Sequence, residues 1–299
     1  MTIDRRMLMA GGLAMTVGCT AAPHQPTTPD SPPPPPAQPR RVASLNPCLD
    51  VILVEVADRD QIAALSHFSR DAYGSTIAEQ ARSLPFTWGT GEEIAALRPD
   101  LVLVGQFSSR PVQAALDRLR IPTSAFGVPA TVAESLEQVR EVARLLGHPE
   151  RGEALVARIE AALAAAAPAA DAPVLSALVF MPGGFVSAPG TLMDEMMRRT
   201  GFENAATRYG LTQSTNLPLE QLVADPPDVL LSGEPSRGAP SRAESVMQHP
   251  ALSRVAADMQ RAVFPERLLF CGGPVLIRTA AVLARAREQA LTHRKGTPA

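Results

Sequence analysis

Three features of this 299-residue chain predict an α/β fold of two lobes, each a parallel sheet flanked by helices, joined by one long helix with a cleft between the lobes. A helix, break and strand unit occurs twice. Apolar strands alternate with amphipathic helices around each copy. An alanine-rich helix of 18 residues lies between the copies. Alternating strands and helices imply crossover connections, and these build parallel sheets.

The repeated unit is Glu92-Glu93-Ile94-Ala95-Ala96-Leu97-Arg98-Pro99-Asp100-Leu101-Val102-Leu103-Val104-Gly105. It returns 128 residues later (220 less 92) as Glu220-Gln221-Leu222-Val223-Ala224-Asp225-Pro226-Pro227-Asp228-Val229-Leu230-Leu231-Ser232-Gly233. Six positions are identical: Glu92/Glu220, Ala96/Ala224, Pro99/Pro227, Asp100/Asp228, Leu103/Leu231 and Gly105/Gly233. A carboxylate suits the positive end of a helix, proline stops the helix, and the apolar run suits a strand covered on both faces. One unit present twice implies two similar lobes.

With 45% apolar and 19% charged residues the chain can bury two cores. Its net charge of −2 and scattered basic residues give no nucleic-acid footprint. Residues 1–18 read as an export signal: Asp4-Arg5-Arg6, then an apolar run from Met7 to Val17 too short to span a bilayer. Thr16-Val17-Gly18-Cys19 resembles a bacterial lipoprotein processing site, which makes Cys19 a lipidation candidate and predicts a membrane anchor; the competing reading is a general secretory signal with an incidental Cys19. Arg5-Arg6 also resembles a twin-arginine signal. Residues 19–39, with Pro32 to Pro36 in succession, read as an extended tether.

The first lobe occupies 40–147. Val42 to Leu45 is a strand and Asn46-Pro47-Cys48 its exit. Leu49 to Ala57 is a helix, and Ile62 to Ser66 a second strand. Residues 67–91 form a long connection carrying His67, Phe68, Tyr73, Phe86 and Trp88, a content suited to function rather than disorder. After the first repeat copy come a helix over Pro111 to Leu119, a strand over Thr123 to Phe126, and a helix over Val132 to Leu146 capped by Gly147. Ligands of parallel sheets sit beyond the strands' carboxyl ends, here near Cys48, His67, Phe68, Gln106 and Phe107.

The linking helix lies within 148–168. Over Glu150 to Ala167 it would run about 27 Å at 1.5 Å per residue, and its stiffness implies limited hinge motion. The second lobe, 169–291, opens with a strand over Val174 to Phe180 that leads into Met181-Pro182-Gly183-Gly184-Phe185. A helix over Met193 to Thr200, the second repeat copy, a helix near Ser241 to Met247, a last strand at Leu268-Leu269-Phe270 and a final helix over Val275 to Leu291 follow. Residues 292–299 read as a frayed tail.

Arg41-Val42-Ala43-Ser44-Leu45-Asn46, Trp88-Gly89 ahead of the first repeat copy, the helical linker and the second Pro-Asp unit together resemble the substrate-binding proteins of ATP-binding-cassette importers for iron chelates and vitamin B12. The resemblance spans about residues 40 to 291. It implies a metal chelate (ferric siderophore, haem or cobalamin) held in the cleft, no resident cofactor or structural metal, and delivery to a membrane permease. In that family a glutamate on each lobe pairs with permease arginines, and those positions match Glu92 and Glu220. The reading of the repeat places both at the far end of the unit from the ligand-holding strand ends. Trp88, the chain's single tryptophan, resembles a ligand-contacting tryptophan of the vitamin B12 members. Phe68, Phe107 and Phe185 are further cleft candidates. Asn216-Leu217 and Cys271-Gly272 stand where the vitamin B12 members have more aromatics, a departure from the corrinoid pattern.

Cys48 and Cys271 occupy comparable strand exits in different lobes. Three readings stand, in this order: unpaired buried thiols, contact with a metal or chelate alongside His67, or a disulfide tying the lobes. Two other functional classes compete with binding. An exported enzyme could use Asn46, Cys48, Asp50 and His67, yet the chain has no strand-turn-helix nucleophile motif or phosphate loop. A surface-anchored interaction protein would take no small ligand.

Overall fold

The computed structural model describes residues 38–234, 249, 250, 252 and 259–296. The export signal, Cys19, most of the tether and the helix expected near Ser241 to Met247 lie outside the described residues. In chain order the first lobe comprises β1 (Val42–Ser44), α1 (Pro47–Val56), β2 (Ile62–Ser66), α2 (Ala78–Ala81), β3 (Phe86–Thr87), α3 (Gly91–Leu97), β4 (Leu101–Gly105), α4 (Arg110–Arg118), β5 (Thr123–Phe126) and α5 (Val132–Leu145). The linking helix is α6 (Pro149–Ala166). The second lobe continues with β6 (Leu175–Phe180), β7 (Phe185–Val186), α7 (Leu192–Arg199), β8 (Phe202–Asn204), β9 (Thr215–Asn216), α8 (Leu219–Ala224), β10 (Val229–Ser232), β11 (Gln260–Val263) and α9 (Val275–Gly296).

The first sheet has the order β3-β2-β1-β4-β5 and is parallel throughout. The second has the order β11-β10-β6-β7-β9, with β8 beside the start of β6. Its β10, β11 and β8 run parallel to β6 or its neighbour, but β7 and β9 pair antiparallel, so this sheet is mixed rather than parallel. The aspartate shared by both repeat copies does the same work in each lobe. Asp100 accepts the backbone N–H groups of Arg40 and Arg41 at the entry to β1 (2.7 and 3.0 Å), and Asp228 accepts the N–H and hydroxyl of Ser176 in β6 (2.7 and 2.9 Å). Satisfying these donors fixes where each central strand begins.

Both faces of the inner strands β1, β2, β4, β6 and β10 are covered, which explains their unbroken apolar runs. Val42 faces a large core while Ala43 faces a smaller cluster with Ile94, Val102 and Leu116. The large core is continuous across the molecule: Ile52 of α1, Val139 of α5, Ile159 of α6 and Leu283 of α9 all belong to it. Gly152 lets α6 approach α5 closely, since a Cβ there would sit 2.6 Å from that of Ala143. The expectation of limited hinge motion thus gains a second physical ground, shared burial beside a stiff linker.

Several local expectations need correction. The apolar run Leu268-Leu269-Phe270 is not a strand; Glu266–Leu268 is a 3-10 turn following Pro265, and the edge strand is β11. Only Ala262 of β11 is buried, so it lacks the apolar run that marks a central strand. Phe202–Asn204, just beyond the helix expected over Met193 to Thr200 and given no element in the sequence reading, is β8. The final helix continues through residue 292 to Gly296, with Arg294 paired to Asp228 near its end. The long connection 67–91 is packed: Arg70 donates to the carbonyls of Ala81 and Leu84 and lies 3.9 Å over the Phe86 ring.

Candidate functional site

The carboxyl ends of the first sheet's strands form two adjoining cavities. The larger, about 260 Å³, is lined by Asn46, Cys48, Phe68, Gln106, Phe107 and Phe270 among others. The smaller, about 140 Å³, is lined by Ser66, His67, Phe68, Trp88 and Ser109 among others, and shares Leu45, Phe68 and Ser108 with the first. His67 is the one ionisable side chain among the described residues lining the two. The remainder offer aromatic faces and neutral hydrogen-bonding groups.

Each wall has a local cause. Asn46 caps α1 by accepting the N–H groups of Cys48 (2.8 Å) and Leu49 (3.3 Å), with Pro47 opening the helix. Gly105 ends β4 against that cap, where a Cβ would meet the Asn46 side-chain nitrogen at 2.5 Å. The ring of His67 lies 3.9 Å from that of Phe68 and 4.5 Å from that of Trp88. Phe68, Trp88 and Phe107 are 52%, 63% and 82% exposed, so none is core. Leaving such surface open to water is unfavourable unless something covers it.

Two acidic side chains hold this ledge from behind. The Glu93 carboxylate accepts the Thr87 hydroxyl (2.7 Å) and the Trp88 N–H (2.8 Å), fixing the loop that presents the indole. Those bonds, the Thr87 hydroxyl foremost, keep the Glu93 carboxyl below its ordinary range. Asp50, fully buried on α1, accepts the Ser66 N–H at 3.2 and 3.3 Å and the Ser66 hydroxyl at 2.5 Å, gripping the exit of β2 just before His67. Burial pushes the Asp50 carboxyl up to about 7, against hydrogen bonds from Ser44 and Ser66 that lower it.

The structure brings most of the expected site together. Cys48, Phe68, Gln106 and Phe107 line the larger cavity; His67, Phe68 and Trp88 line the smaller. Phe185 lines neither and reaches the site only through Phe270, its ring 6.1 Å away. Cys48 and Cys271 form a disulfide with Cα atoms 5.0 Å apart, which overturns the order favouring unpaired thiols and leaves no thiolate for a metal. Residues 223 positions apart carry no sign of proximity in the sequence. Phe270, 56% exposed, is the cavity-lining aromatic that sequence reasoning missed by assigning it to the last strand. Pro265-Glu266-Arg267 just before it was the available sign of a turn.

Glu92 and Glu220 occupy the same place in their lobes, the second residue of α3 and of α8, and both are exposed. They do not lie at the far end from the ligand edge. A helix running antiparallel to the strand it feeds starts level with that strand's carboxyl end. Glu92 therefore follows Trp88 closely, and Glu220 lines a groove with Gly183, Gly184 and Asn216 beyond β6.

A family model described as periplasmic binding protein matches residues 42–264. The chain belongs to the periplasmic binding protein family. It is 24% identical over 224 residues to proteins named cobalamin-binding protein from two strains of Halobacterium salinarum, an alignment covering 72% of this chain. The chain spans 59% of the length of those curated relatives. Solved structures share the fold. The apo periplasmic heme-binding protein RhuT from Roseiflexus sp. RS-1 superposes with a TM-score of 0.67 at 24% identity, covering 84% of this chain and 98% of that one. Helicobacter pylori CeuE with Ni(II) bound gives 0.65 at 17% identity, covering 88% and 87%. Among the described residues of this periplasmic binding protein, no three His, Cys, Asp or Glu side chains converge as a metal-holding group, and no helix is long and apolar enough to cross a membrane.

Proposed function

We propose that this protein is the substrate-binding component of an ATP-binding-cassette importer, capturing a metal chelate (a ferric siderophore, haem or cobalamin) in the cleft and delivering it to a membrane permease. The observation that carries this reading is the exposed aromatic ledge of His67, Phe68 and Trp88 at the first lobe's carboxyl edge, with Phe107 beside it and Phe270 supplied by the second lobe. Such faces suit a large, partly apolar ligand, and each stacked ring contributes about 0.5–1.5 kcal/mol beyond burial. The metal is cargo that arrives with its own chelator, and the described cleft residues, His67 apart, offer it aromatic faces and neutral donors. Export, tethering through Cys19 and docking through Glu92 and Glu220 complete the proposal and place the protein outside the cytoplasm. The relatives named for cobalamin and haem support the ligand class without choosing within it.

An enzyme built on Cys48 and His67 finds no support here, since the disulfide occupies the nucleophile it would need. The test is titration of the protein with haem, cyanocobalamin and ferric siderophores, following the fluorescence of its single tryptophan. At least one should quench Trp88, and Trp88→Ala should weaken that ligand's binding. No quenching by any of them, with Trp88→Ala leaving every affinity unchanged, would make the reading wrong and favour a surface-anchored interaction protein.

A further inference from the structure

The Cys48–Cys271 disulfide joins the two lobes at the wall of the cleft itself. Cys48 lines the 260 Å³ cavity, and the residue before Cys271 is Phe270, which lines the same cavity from the other lobe. On the first-lobe side the anchor is rigid: Cys48 is the second residue of α1, its N–H held by the Asn46 cap. On the second-lobe side the chain after Cys271 is pressed against the first lobe. The Gly273 N–H donates to the Ser135 hydroxyl at 2.7 Å, a Cβ on Gly272 would sit 2.3 Å from that oxygen, and one on Gly273 would sit 3.0 Å from Ile52. One bridge and two close crossings thus fall within three consecutive residues, immediately after an exposed phenylalanine.

We propose that this disulfide is a working part of the ligand site: it positions Phe270 across from Phe68 and Phe107, so that the aromatic contact from the second lobe is already in place before ligand arrives. This rests on the reading of the cleft as a chelate site. Without the bridge, Phe270 is carried by a turn with one covalent tie fewer, and only a fraction of molecules present it to the cavity. Apparent affinity then falls toward that of a protein lacking the contact. Both sulfur-bearing residues are partly exposed, so a small reductant reaches the bond.

The experiment is a double-mutant cycle read by Trp88 fluorescence, with haem, cyanocobalamin and a ferric trishydroxamate as probes. Its four proteins are the oxidised parent, Phe270→Ala, the Cys48→Ser/Cys271→Ser pair, and the triple variant. For whichever probe the parent binds, Phe270→Ala should weaken binding about two- to tenfold, as loss of one aromatic contact does. The cysteine pair should weaken it by most of that factor and by no more, since molecules that do not present Phe270 still make every other contact. In the cysteine-free background Phe270→Ala should cost less than about twofold, since the contact is no longer preset. Parent treated with a phosphine reductant should match the cysteine-free protein, which guards against a folding defect in the variants, and amide exchange at Gly273 should speed up in both. Equal affinity of folded oxidised and cysteine-free proteins, or an equal Phe270→Ala cost in both backgrounds, overturns the proposal while leaving the chelate site standing. Failure of the parent to bind any probe overturns the chelate reading and this inference with it.

Discussion

Replacing Asp50 with asparagine should change how stability depends on pH. Asp50 is buried on α1 and, with its carboxyl pushed from 3.8 up to about 7, keeps its proton in the folded state where the unfolded chain has released it. Between about pH 4 and 7 the native state therefore binds more protons than the unfolded state, so this group's contribution is fully present below pH 4 and is lost as pH rises through 7. About three pH units at 1.36 kcal/mol each give roughly 4 kcal/mol in all, of which about half to two thirds is lost between pH 5 and 8. Asparagine cannot titrate, and its amide oxygen can still accept the Ser66 N–H now held at 3.2 Å. Urea unfolding of parent and Asp50→Asn, measured at each pH from 5 to 8, isolates the effect, because other titrations cancel in the difference. The variant should gain about 2 to 3 kcal/mol on the parent across that window, starting from a deficit of about 1 kcal/mol for the altered hydrogen bond at pH 5. A difference that stays flat with pH would refute the assignment of a buried, proton-holding carboxyl at the exit of β2.

Glu92→Ala and Glu220→Ala should abolish or strongly slow chelate uptake in cells while the purified proteins keep parental affinity, because an unpaired buried permease arginine costs about 2–5 kcal/mol; loss of affinity, or normal uptake by the double variant, would end the docking assignment. Their melting temperatures should fall only slightly, since a helix-start carboxylate is worth a few tenths to about 1 kcal/mol. Glu93→Ala releases the Trp88 N–H and the Thr87 hydroxyl, so it should weaken ligand binding several-fold and lower the fluorescence anisotropy of Trp88, whereas unchanged anisotropy would show that Glu93 does not hold the ledge. Cys19→Ser should convert a membrane-partitioning protein into a soluble exported one, and identical fractionation of the two would remove the lipid anchor while leaving the binding proposal intact.

The sequence by itself determined the two-lobed α/β plan, because burial leaves a periodic trace along the chain. Apolar runs such as Leu101-Val102-Leu103-Val104 and the spaced stripe of α5 record which faces are covered, and the repeated Pro-Asp unit records that the plan is used twice. It also singled out Trp88 and Phe68, since aromatic residues in a loop have no local core to serve. Only the tertiary structure decided the rest. β7 and β9 are two residues long, too short to show a period, so the mixed second sheet left no sign in the sequence. Phe270 looked like core because an apolar triplet reads the same in a strand or a turn; packing left it exposed in the cleft. The level at which Glu92 and Glu220 stand follows from the antiparallel run of helix against strand, a relation in space rather than in order. Cys48 and Cys271 meet because α1 and the start of α9 are folded onto one shared core, and no spacing along the chain encodes that distance.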